Sequence, residues 1–507
     1  MSDIYHIGTP VYVPEHRSQL PRLLRESFAA AEPELLAALA GFLDQPDPKA
    51  LLRLEETVLR LFQLASSHVI AGALCFLHQE GSWVDAEVEE AREVSPRPTR
   101  LRGWRETPIR FLGGARLRIE TVYVAEDLRV RRGPRRGVGR RRQSGGGFYP
   151  LLEALGIAQR ATPALQSEVA RQVVRGASNA EARAALSERG IELNEKTVRA
   201  LALGVGARAL DQRQARLGAA REGRVFSDEL VGKRVVISVD GGRTRLREGG
   251  RRGRKNRKGR RRYATPWREP KLLVVYVIDK GGKKVRKIRP LYDATMGDAD
   301  STFEILIAEL LLRGASEAKE IILTGDGAPW IWNRADALAK ALGLDPKKIV
   351  KVADFYHAVE HLTAIADLCA SWSPTKRKRW VRRMRRDLKA GNVDVVIQAA
   401  RALCRGRNAG RIRTEVEYFV ERKDRMRYRA FRRRGIPLGS GAVESAVRRV
   451  INLRLKGPSI FWHKENAERV LHMRSYLKAG RWDELMRRVL YRSPDGMPAR
   501  RAERKAA

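Results

Sequence analysis

Short apolar runs, separated by polar and glycine-marked turns, follow one another through the central part of the chain. Their lengths and spacing predict five β-strands, at residues 235–239, 272–278, 285–291, 321–324 and 349–353. A Lys280-Gly281-Gly282 turn joins the second and third strands. Helical periodicity predicts one helix after the third strand and one after the fourth, at residues 301–312 and 330–342. The pattern predicts an α/β domain over residues 226–357.

The order β-β-β-α-β-α-β is typical of an RNase H-like fold, in which helices flank a mixed five-stranded sheet. Basic, helix-periodic sequence over residues 358–436 predicts a helical insertion that interrupts this fold. A glycine-rich break then precedes the C-terminal helices of the catalytic domain, residues 437–492. We expect disorder in the tail, residues 493–507, which is rich in proline, arginine and alanine.

The N-terminal part of the chain predicts two further segments. Residues 1–93 carry apolar positions at helical spacing and predict a helical domain, for which a role in dimerisation stays open. Residues 94–150 are punctuated by proline and glycine, alternate like a strand over 115–124, and carry eight arginines within residues 129–142. We interpret this segment as a basic connector with short strands that serves either as a solvated linker or as a DNA contact.

Residues 151–225 predict a compact helical unit. A proline start, polar caps and a glycine stop predict helices at residues 163–173, 180–189 and 195–203. Three short helices joined in this way resemble a helix-turn-helix, whose last helix would enter the major groove of DNA. Lys196 and Arg199 are the basic residues that this helix would present.

Composition adds a partner to this picture. The chain has 101 Lys and Arg against 59 Asp and Glu, a net charge of +42, and such an excess is typical of proteins that bind nucleic acid. Its three cysteines form no Cys-x-x-Cys pair, which argues against a disulfide framework or a cysteine-rich zinc site. Because there is no signal-peptide pattern and no apolar run of about 20 residues, we expect a cytoplasmic protein with no membrane partner.

Acidic residues stand at the ends of two predicted strands and in the helix after the insertion. Asp240 ends the first strand, Asp326 ends the fourth, and Glu444 lies in a Gly-Ser-Gly-Ala-Val-Glu segment. The first and fourth strands are neighbours in the predicted topology, so the two aspartates should lie side by side. Three carboxylates suit Mg²⁺, or Mn²⁺ in its place, and two such ions can cleave a phosphodiester. We predict that all three residues are catalytic and bind metal.

These motifs together resemble a known family. Asp240-Gly-Gly, Gly-Asp326-Gly-Ala-x-Trp-Ile-Trp, Asp354-Phe-Tyr-His357 and Gly-Ser-Gly-x-Val-Glu444-Ser look like motifs of bacterial DDE insertion-sequence transposases, specifically the Kra-type group related to Mutator-like transposases. The resemblance covers about residues 150–490 and assigns the DDE positions to the two aspartates and the glutamate named above. It implies a Mg²⁺ cofactor, double-stranded DNA as substrate and target, a homodimer or higher oligomer on DNA, and a place at the bacterial nucleoid. Members often carry an N-terminal zinc ribbon, for which this chain lacks the cysteines.

Asp354 and His357 are open to more than one interpretation. A Cys- or Asp-x-x-His motif follows the second aspartate in the wider Mutator-like class, which implies a position close to the active site. Asp354 also ends the fifth strand and is the alternative second catalytic residue, although Asp326 is preferred because the fourth strand neighbours the first. In the remaining interpretations Asp354 caps the next helix, or holds a structural metal with His357 and His361.

A second basic feature lies beside the predicted site. Ten of the sixteen residues from Arg247 to Arg262 are Lys or Arg, in the loop that joins the first two strands. We predict that this glycine-containing loop is disordered without DNA and then binds phosphates. Trp330 and Trp332 either stack on a base flipped out of the DNA end or pack in the core. The basic residues assigned to DNA in the loop are Arg251, Arg252, Arg254, Lys255, Arg257, Lys258, Arg260, Arg261 and Arg262.

The predicted function is that of a DDE transposase, which frees a 3′-hydroxyl at the ends of an insertion sequence by hydrolysis and joins it to target DNA. Two alternatives stay open. A metal-dependent RNase H-like nuclease would share the triad without strand transfer. A non-catalytic DNA-binding protein derived from a transposase would be marked by loss of an acidic residue, and all three are present here.

Overall fold

A computed structural model of the chain describes residues 12–29, 31–79, 99–126, 147–252 and 262–496, together with the isolated positions 85, 89, 257 and 259. The chain divides into two compact units, Met1–Val205 and Gly206–Ala507. Some of the predicted features fall outside the described residues. These are the arginine-rich stretch 129–142, the tail from residue 497, the loop residues Arg254, Lys255, Lys258, Arg260 and Arg261, and the side chains of Arg251, Arg252 and Arg262.

The first unit begins with helices, as predicted. They are α1 (Leu20–Ala29), α2 (Glu32–Asp44) and α3 (Pro48–Gln79). α1 and α2 both pack on α3, and the ring of Phe28 meets that of Phe62 edge to face, with centroids 5.6 Å apart. Apolar residues at helical spacing therefore build a helical hairpin and its flanking helix here.

The segment Pro48–Leu77 of α3 is, by length and composition alone, long and apolar enough to cross a membrane. This corrects the expectation that no segment reaches that length. A buried core helix passes the same test, and 39% of the apolar window in this segment is buried in the protein, including Leu61, Ala65 and Ala71.

A three-stranded antiparallel sheet follows, in the order β1 (Thr99–Arg110), β2 (Arg116–Glu126) and β3 (Gly147–Phe148). β2 confirms the strand predicted over residues 115–124. The sequence pattern does not indicate its long partner β1, because Pro108 and Gly103 interrupt it. β1 lies at the edge of this sheet, where a proline is tolerated, and a register shift between Leu101 and Trp104 accommodates the glycine.

The predicted compact helical unit is built from α4 (Pro150–Ala154), α5 (Pro163–Arg175), α6 (Asn179–Ser187) and α7 (Glu195–Arg221). Ser178 caps α6 by accepting a hydrogen bond from the Glu181 N–H at 3.0 Å. Asn194 caps α7 by accepting from the Thr197 N–H at 2.8 Å. α7 extends well beyond the predicted end at residue 203, since its apolar positions stay buried as far as Ala220.

The second unit contains, in chain order, the strands β4 (Arg234–Gly241), β5 (Thr244–Arg245), β6 (Glu248–Arg252), β7 (Arg262–Ala264), β8 (Trp267–Arg268), β9 (Lys271–Ile278), β10 (Leu291–Thr295), β11 (Glu320–Gly325) and β12 (Ile349–Ala353). Five of them form a mixed sheet with strand order β10-β9-β4-β11-β12. The first predicted strand is therefore central and lies beside the fourth, as expected. β4, β11 and β12 are parallel, whereas β9 and β10 run antiparallel to their neighbours.

Helices α8 (Ala299–Leu311), α9 (Pro329–Trp332) and α10 (Ala335–Ala341) cover one face of this sheet. Two predicted boundaries are wrong here. The third strand is Leu291–Thr295 and not 285–291, because residues 286–288 leave the ladder in a turn, in which the Ile288 N–H donates to the Val285 carbonyl at 3.2 Å. The predicted helix over 330–342 is divided, with Arg334 between its parts donating from its side chain to the Trp330 carbonyl at 2.9 Å.

The predicted insertion is helical, with α11 (Phe355–Leu368), α12 (Pro374–Ala390), α13 (Val393–Arg401), α14 (Ala409–Arg422) and α15 (Tyr428–Arg433). The chain then returns to the sheet through α16 (Gly441–Val447), a π-helical turn (Arg448–Asn452), α17 (Leu453–Leu455), α18 (Lys464–Ala479) and α19 (Trp482–Tyr491). α16 packs on β4 and β9, and α18 packs on β10. The start of the predicted tail is held to the unit, since the Pro494 carbonyl accepts from Arg216 at 2.8 Å.

Candidate active site

Three aspartates continue the ladders of the parallel strands in one row. Thr324 of β11 pairs with Ser238 of β4. Counting two residues further along each strand sets Asp326 opposite Asp240. The Gly325–Ala353 pair of β11 and β12 likewise sets Asp326 opposite Asp354, one residue on. Neighbouring strands lie about 4.8 Å apart, so the carboxyl ends of these strands bring all three aspartates to one sheet edge.

Asp240 is half-buried and lies in the field of other carboxylates. Its Oδ1 accepts a hydrogen bond from the Gly241 N–H at 2.7 Å. Burial, together with the negative charges of Asp326, Glu444 and Glu269, raises the pKa of Asp240 to about 6. The three residues predicted as a triad are therefore close enough to act on one another electrostatically.

Glu444 reaches this edge on α16. The apolar residues of this helical segment face the core, with Val443, Val450 and Ile451 fully buried and Val447 nearly so. Gly242 makes the close approach possible, because a Cβ there would lie 2.8 Å from Ile451 Cδ1. The helix that carries Glu444 therefore packs directly on the turn after Asp240, and the Glu444 side chain itself is exposed.

Asp354 is buried, and its carboxylate is fully used by hydrogen bonds. Its Oδ1 accepts from the backbone N–H groups of Tyr356 at 2.6 Å and His357 at 2.9 Å, which caps α11. Its Oδ2 accepts from both the backbone N–H and the hydroxyl of Ser440. The capping interpretation of Asp354 is thus confirmed.

The same contacts link Asp354 to the predicted glutamate. The Ser440 hydroxyl also lies 3.0 Å from Glu444 Oε1, so its one proton is shared between the two carboxylates. Asp354 is therefore close to the site through Ser440, and it holds the loop from which α16 starts.

The turn after Asp326 is held by the helical insertion. Asp326 Oδ1 accepts from the Ala328 N–H at 3.0 Å, while the Tyr418 hydroxyl donates to the Asp326 carbonyl at 3.2 Å. The Arg422 guanidinium donates twice to the Gly327 carbonyl, at 2.8 and 3.1 Å. Gly327 has φ +106, and a Cβ there would lie 2.7 Å from Arg422 Nε, so this turn requires glycine.

Two histidines of α11, His357 and His361, lie beside Tyr418, on the side away from the aspartates. The His361 ring stacks on Tyr418 at 3.7 Å, and its Nδ1 lies 2.5 Å from Glu415. Burial lowers the pKa of His361. The His357 ring pairs with Glu360 at 2.9 Å, and its side chain does not join Asp354. These residues do not form the structural metal site considered from the sequence.

Trp332 and Trp330 differ in their surroundings. Trp332 is buried in the core, with the Arg425 guanidinium 4.7 Å from its ring centroid, so the packing interpretation holds for it. Trp330 is half-buried, meets Phe303 edge to face, and has Lys271 Nζ 5.0 Å from its ring. Stacking on a flipped base stays a prediction for Trp330 alone.

The basic loop is more ordered at its ends than predicted. β6 and β7 pair as an antiparallel ribbon, and β5 pairs with β8. Glu248 fixes the base of the ribbon through a bidentate ion pair with Arg268, at 2.5 and 2.6 Å. Arg247 donates its N–H to the Trp462 carbonyl at 2.8 Å, which joins the ribbon to the segment before α18. Of the predicted phosphate-binding side chains, Arg257 is described and exposed.

Lys196 and Arg199 are both exposed in the first turns of α7, as predicted. Within the described part of the chain, no group of three or more His, Cys, Asp or Glu side chains is arranged to hold a metal ion. The donors at the sheet edge are nevertheless all carboxylate oxygens, which a hard divalent ion prefers. A cation there would also oppose the burial and the carboxylate repulsion that together raise the pKa of Asp240.

Sequence reasoning does not identify four side chains that surround the predicted triad. Ser440 lies inside a motif already singled out, and Glu269 precedes β9, where its carboxylate lies against Gly241. Tyr418 and Arg422 lie four residues apart on α14, so they share a helix face. That spacing is visible in the sequence, but the contact with a turn 92 residues away is not.

Comparison of the chain with protein-family models, with curated proteins and with solved structures gives no match. A function for this chain therefore rests on its sequence motifs, its charge and the geometry at the sheet edge.

Proposed function

We propose that this chain is a DDE-type transposase that cuts and joins DNA at the ends of an insertion sequence, on a catalytic domain of RNase H-like fold. One observation carries most of the proposal. Asp240 and Asp326 end adjacent parallel strands at the same level, and Glu444 stands on a helix packed against the turn after Asp240. The strand order, with the first strand central and beside the fourth, is the order that such a fold has.

The chemistry of the donors supports a divalent metal. Asp240, Asp326 and Glu444 would hold Mg²⁺ or Mn²⁺, which supplies a Lewis acid for the phosphodiester and lowers the pKa of a bound water or 3′-hydroxyl. Glu444 is exposed, so its side chain can turn towards the aspartates without disturbing the core. Asp240 loses its proton as the pH rises through about 6, and its ionised carboxylate is the form that binds a cation.

The partner follows from charge. A net charge of +42 and exposed cations on α7 and beside the β6–β7 ribbon favour duplex DNA, and the resemblance to insertion-sequence transposases makes both element ends and target DNA the substrates. We propose action in the bacterial cytoplasm, at the nucleoid, as a homodimer or larger assembly, since two ends must be joined together.

The test uses purified protein and labelled duplex DNA from both flanks of the coding sequence. The wild-type chain should release a 3′-hydroxyl end in Mg²⁺ or Mn²⁺ and join it to plasmid DNA, while EDTA should abolish both products. Glu444→Gln should bind the DNA but form neither product. The exposed Asp483→Asn removes a carboxylate from α19, which carries none of the three residues, and should be as active as wild type. Cleavage without joining would favour a nuclease, and metal-independent binding without cleavage would favour the non-catalytic alternative.

A further inference from the structure

Helix α12 of the insertion separates its basic and apolar residues onto opposite halves. Met384 and Leu388 are buried against the neighbouring insertion helices α11, α13 and α15. At 100° per residue, the exposed cations fall on the other half of the helix. These are Lys376, Lys378, Arg379, Arg382, Arg383, Arg385, Arg386 and Lys389.

Within the described residues, the structure gives these exposed cations no acidic partner. Arg377, which is half-buried, pairs with Asp367 at 3.6 Å and donates to the Cys369 carbonyl at 3.3 Å. Among the residues that the structure describes, no carboxylate forms an ion pair with the exposed cations of α12 from Lys378 to Lys389. A run of unpaired like charges on one rigid helix destabilises the isolated protein unless a polyanion neutralises it.

We infer that the exposed face of α12 binds the phosphate backbone of duplex DNA. From Lys376 to Lys389 the helix rises about 20 Å at 1.5 Å per residue. One DNA strand places a phosphate every 3.4 Å along the duplex axis, so about six phosphates lie within that length. The inference deepens the proposed function, because it assigns part of the DNA path to the insertion, outside the carboxylate edge and the β6–β7 ribbon.

The surroundings of α12 favour DNA over the other acidic partners. A helix that binds a membrane surface inserts its apolar face into the lipid, but the apolar face of α12 is already buried in the insertion. Protein interfaces are usually centred on apolar or aromatic anchors and are depleted in lysine. The outward half of α12 carries cations at almost every position, which suits a repeating phosphate backbone read without sequence preference.

The test measures DNA binding in the absence of metal, so that it does not depend on catalysis. A labelled duplex of mixed sequence is titrated with protein in EDTA at several salt concentrations, and fluorescence anisotropy gives the affinity. The variant carries Arg382→Gln, Arg383→Gln, Arg385→Gln and Arg386→Gln. A matched control loses the same charge at exposed positions near the opposite end of the sheet, through Lys283→Gln, Arg286→Gln, Lys287→Gln and Lys319→Gln.

The α12 variant should bind at least about tenfold more weakly than the control near 0.15 M salt. The slope of log affinity against log salt should fall by about 0.9 for each phosphate that the variant no longer neutralises. Circular dichroism and thermal unfolding should match those of wild type, because the replaced side chains are exposed. Equal affinities and slopes for the two variants would overturn the inference. So would unchanged DNA binding with loss of binding to phosphatidylserine vesicles, which would assign the face to a membrane.

Failure of this inference is distinct from failure of the proposed function. Loss of DNA binding in the α12 variant supports the inference even if the wild-type chain neither cuts nor joins DNA. Conversely, metal-dependent cleavage by a chain whose α12 variant binds DNA normally would leave the proposed function standing and remove α12 from the DNA path.

Discussion

Asp326 and Asp354 end neighbouring parallel strands at the same level of the sheet, yet their carboxylates are used in opposite ways. Asp326 is half-buried, and the structure gives its carboxylate one hydrogen bond, from the Ala328 N–H at 3.0 Å. Asp354 is buried and accepts from two backbone N–H groups of α11 and from Ser440. A carboxylate has about four lone-pair sites, so Asp354 has little capacity left for a ligand.

The difference shows that a strand end does not by itself make an aspartate catalytic. What separates the two residues is how many lone pairs the protein already satisfies. The open carboxylate is available to a cation, and the satisfied one stabilises the loop that begins α16. Substitutions at the two positions should therefore differ in kind, with the first acting on the reaction and the second on folding.

The largest effect is expected for Asp326→Asn. The amide keeps the shape and can still accept from Ala328, but it removes a metal-binding charge. Losing several kcal/mol of transition-state stabilisation corresponds to a fall of about 1000-fold in the cleavage rate. DNA affinity and the free energy of unfolding should stay close to wild type. Normal cleavage by this variant, together with loss of cleavage in a folded Asp354→Asn protein, would reverse the assignment of the two aspartates.

Asp354→Asn should act first on stability. Its amide NH₂ would face either the Ser440 donors or those of α11, and a buried donor left unpaired costs about 1–3 kcal/mol. Urea unfolding at pH 7.5 should show a loss of that size. Cleavage measured well below the unfolding transition should fall by about 10- to 100-fold, the effect typical of residues that orient a ligand. An unfolding free energy equal to that of wild type would show that the cap is dispensable.

Local sequence patterns predict the strands that carry the aspartates, but not how each aspartate is used. Apolar runs predict the central strands, and topology then makes β4 and β11 neighbours, which pairs Asp240 with Asp326. The start of β10 is misplaced because Val285, Ile288 and Leu291 predict one strand, whereas residues 286–288 form a turn that precedes it. The capping role of Asp354 is open from the sequence, since an aspartate before a helix and an aspartate at a strand end have the same local signature.

Contacts made over long sequence separation are not predicted. Tyr418 and Arg422 of α14 reach the Asp326–Gly327 turn only because the insertion folds back onto the sheet, and no local sequence pattern predicts this. The pairing of Ser440 with Asp354 spans 86 residues and is invisible in either motif alone. Glu269 approaches Gly241 through the register of β4 and β9, which no turn in the sequence determines.

Arg422→Lys tests whether the insertion positions the open carboxylate. Lysine keeps the charge but cannot donate twice to the Gly327 carbonyl. Cleavage should fall by about 10- to 100-fold, and the Mg²⁺ concentration for half-maximal rate should rise, while DNA affinity is unchanged. Glu421→Gln is the control, because Glu421 pairs with Arg422 at the surface and is 65% exposed. If both variants reached half-maximal rate at the same Mg²⁺ concentration as wild type, the contact of Arg422 with Gly327 would be structural only.

A further effect concerns Asp240, whose carboxylate, like that of Asp326, accepts one hydrogen bond and is otherwise left without a partner by the described residues. The folded protein raises the pKa of Asp240 to about 6 from the ordinary 3.8, so folding favours the protonated form of this carboxyl group. The stability that the protonated group contributes is fully present below pH 3.8 and is lost as the pH rises through 6. In metal-free buffer, Asp240→Asn should therefore be more stable than wild type at pH 7.5, by up to about 3 kcal/mol. The gain should shrink as the pH falls towards 4. Mg²⁺ should stabilise wild type and not this variant, because a bound cation attracts the Asp240 carboxylate, which the asparagine variant lacks. A variant less stable than wild type at pH 7.5 would show that Asp240 is satisfied in the way that Asp354 is.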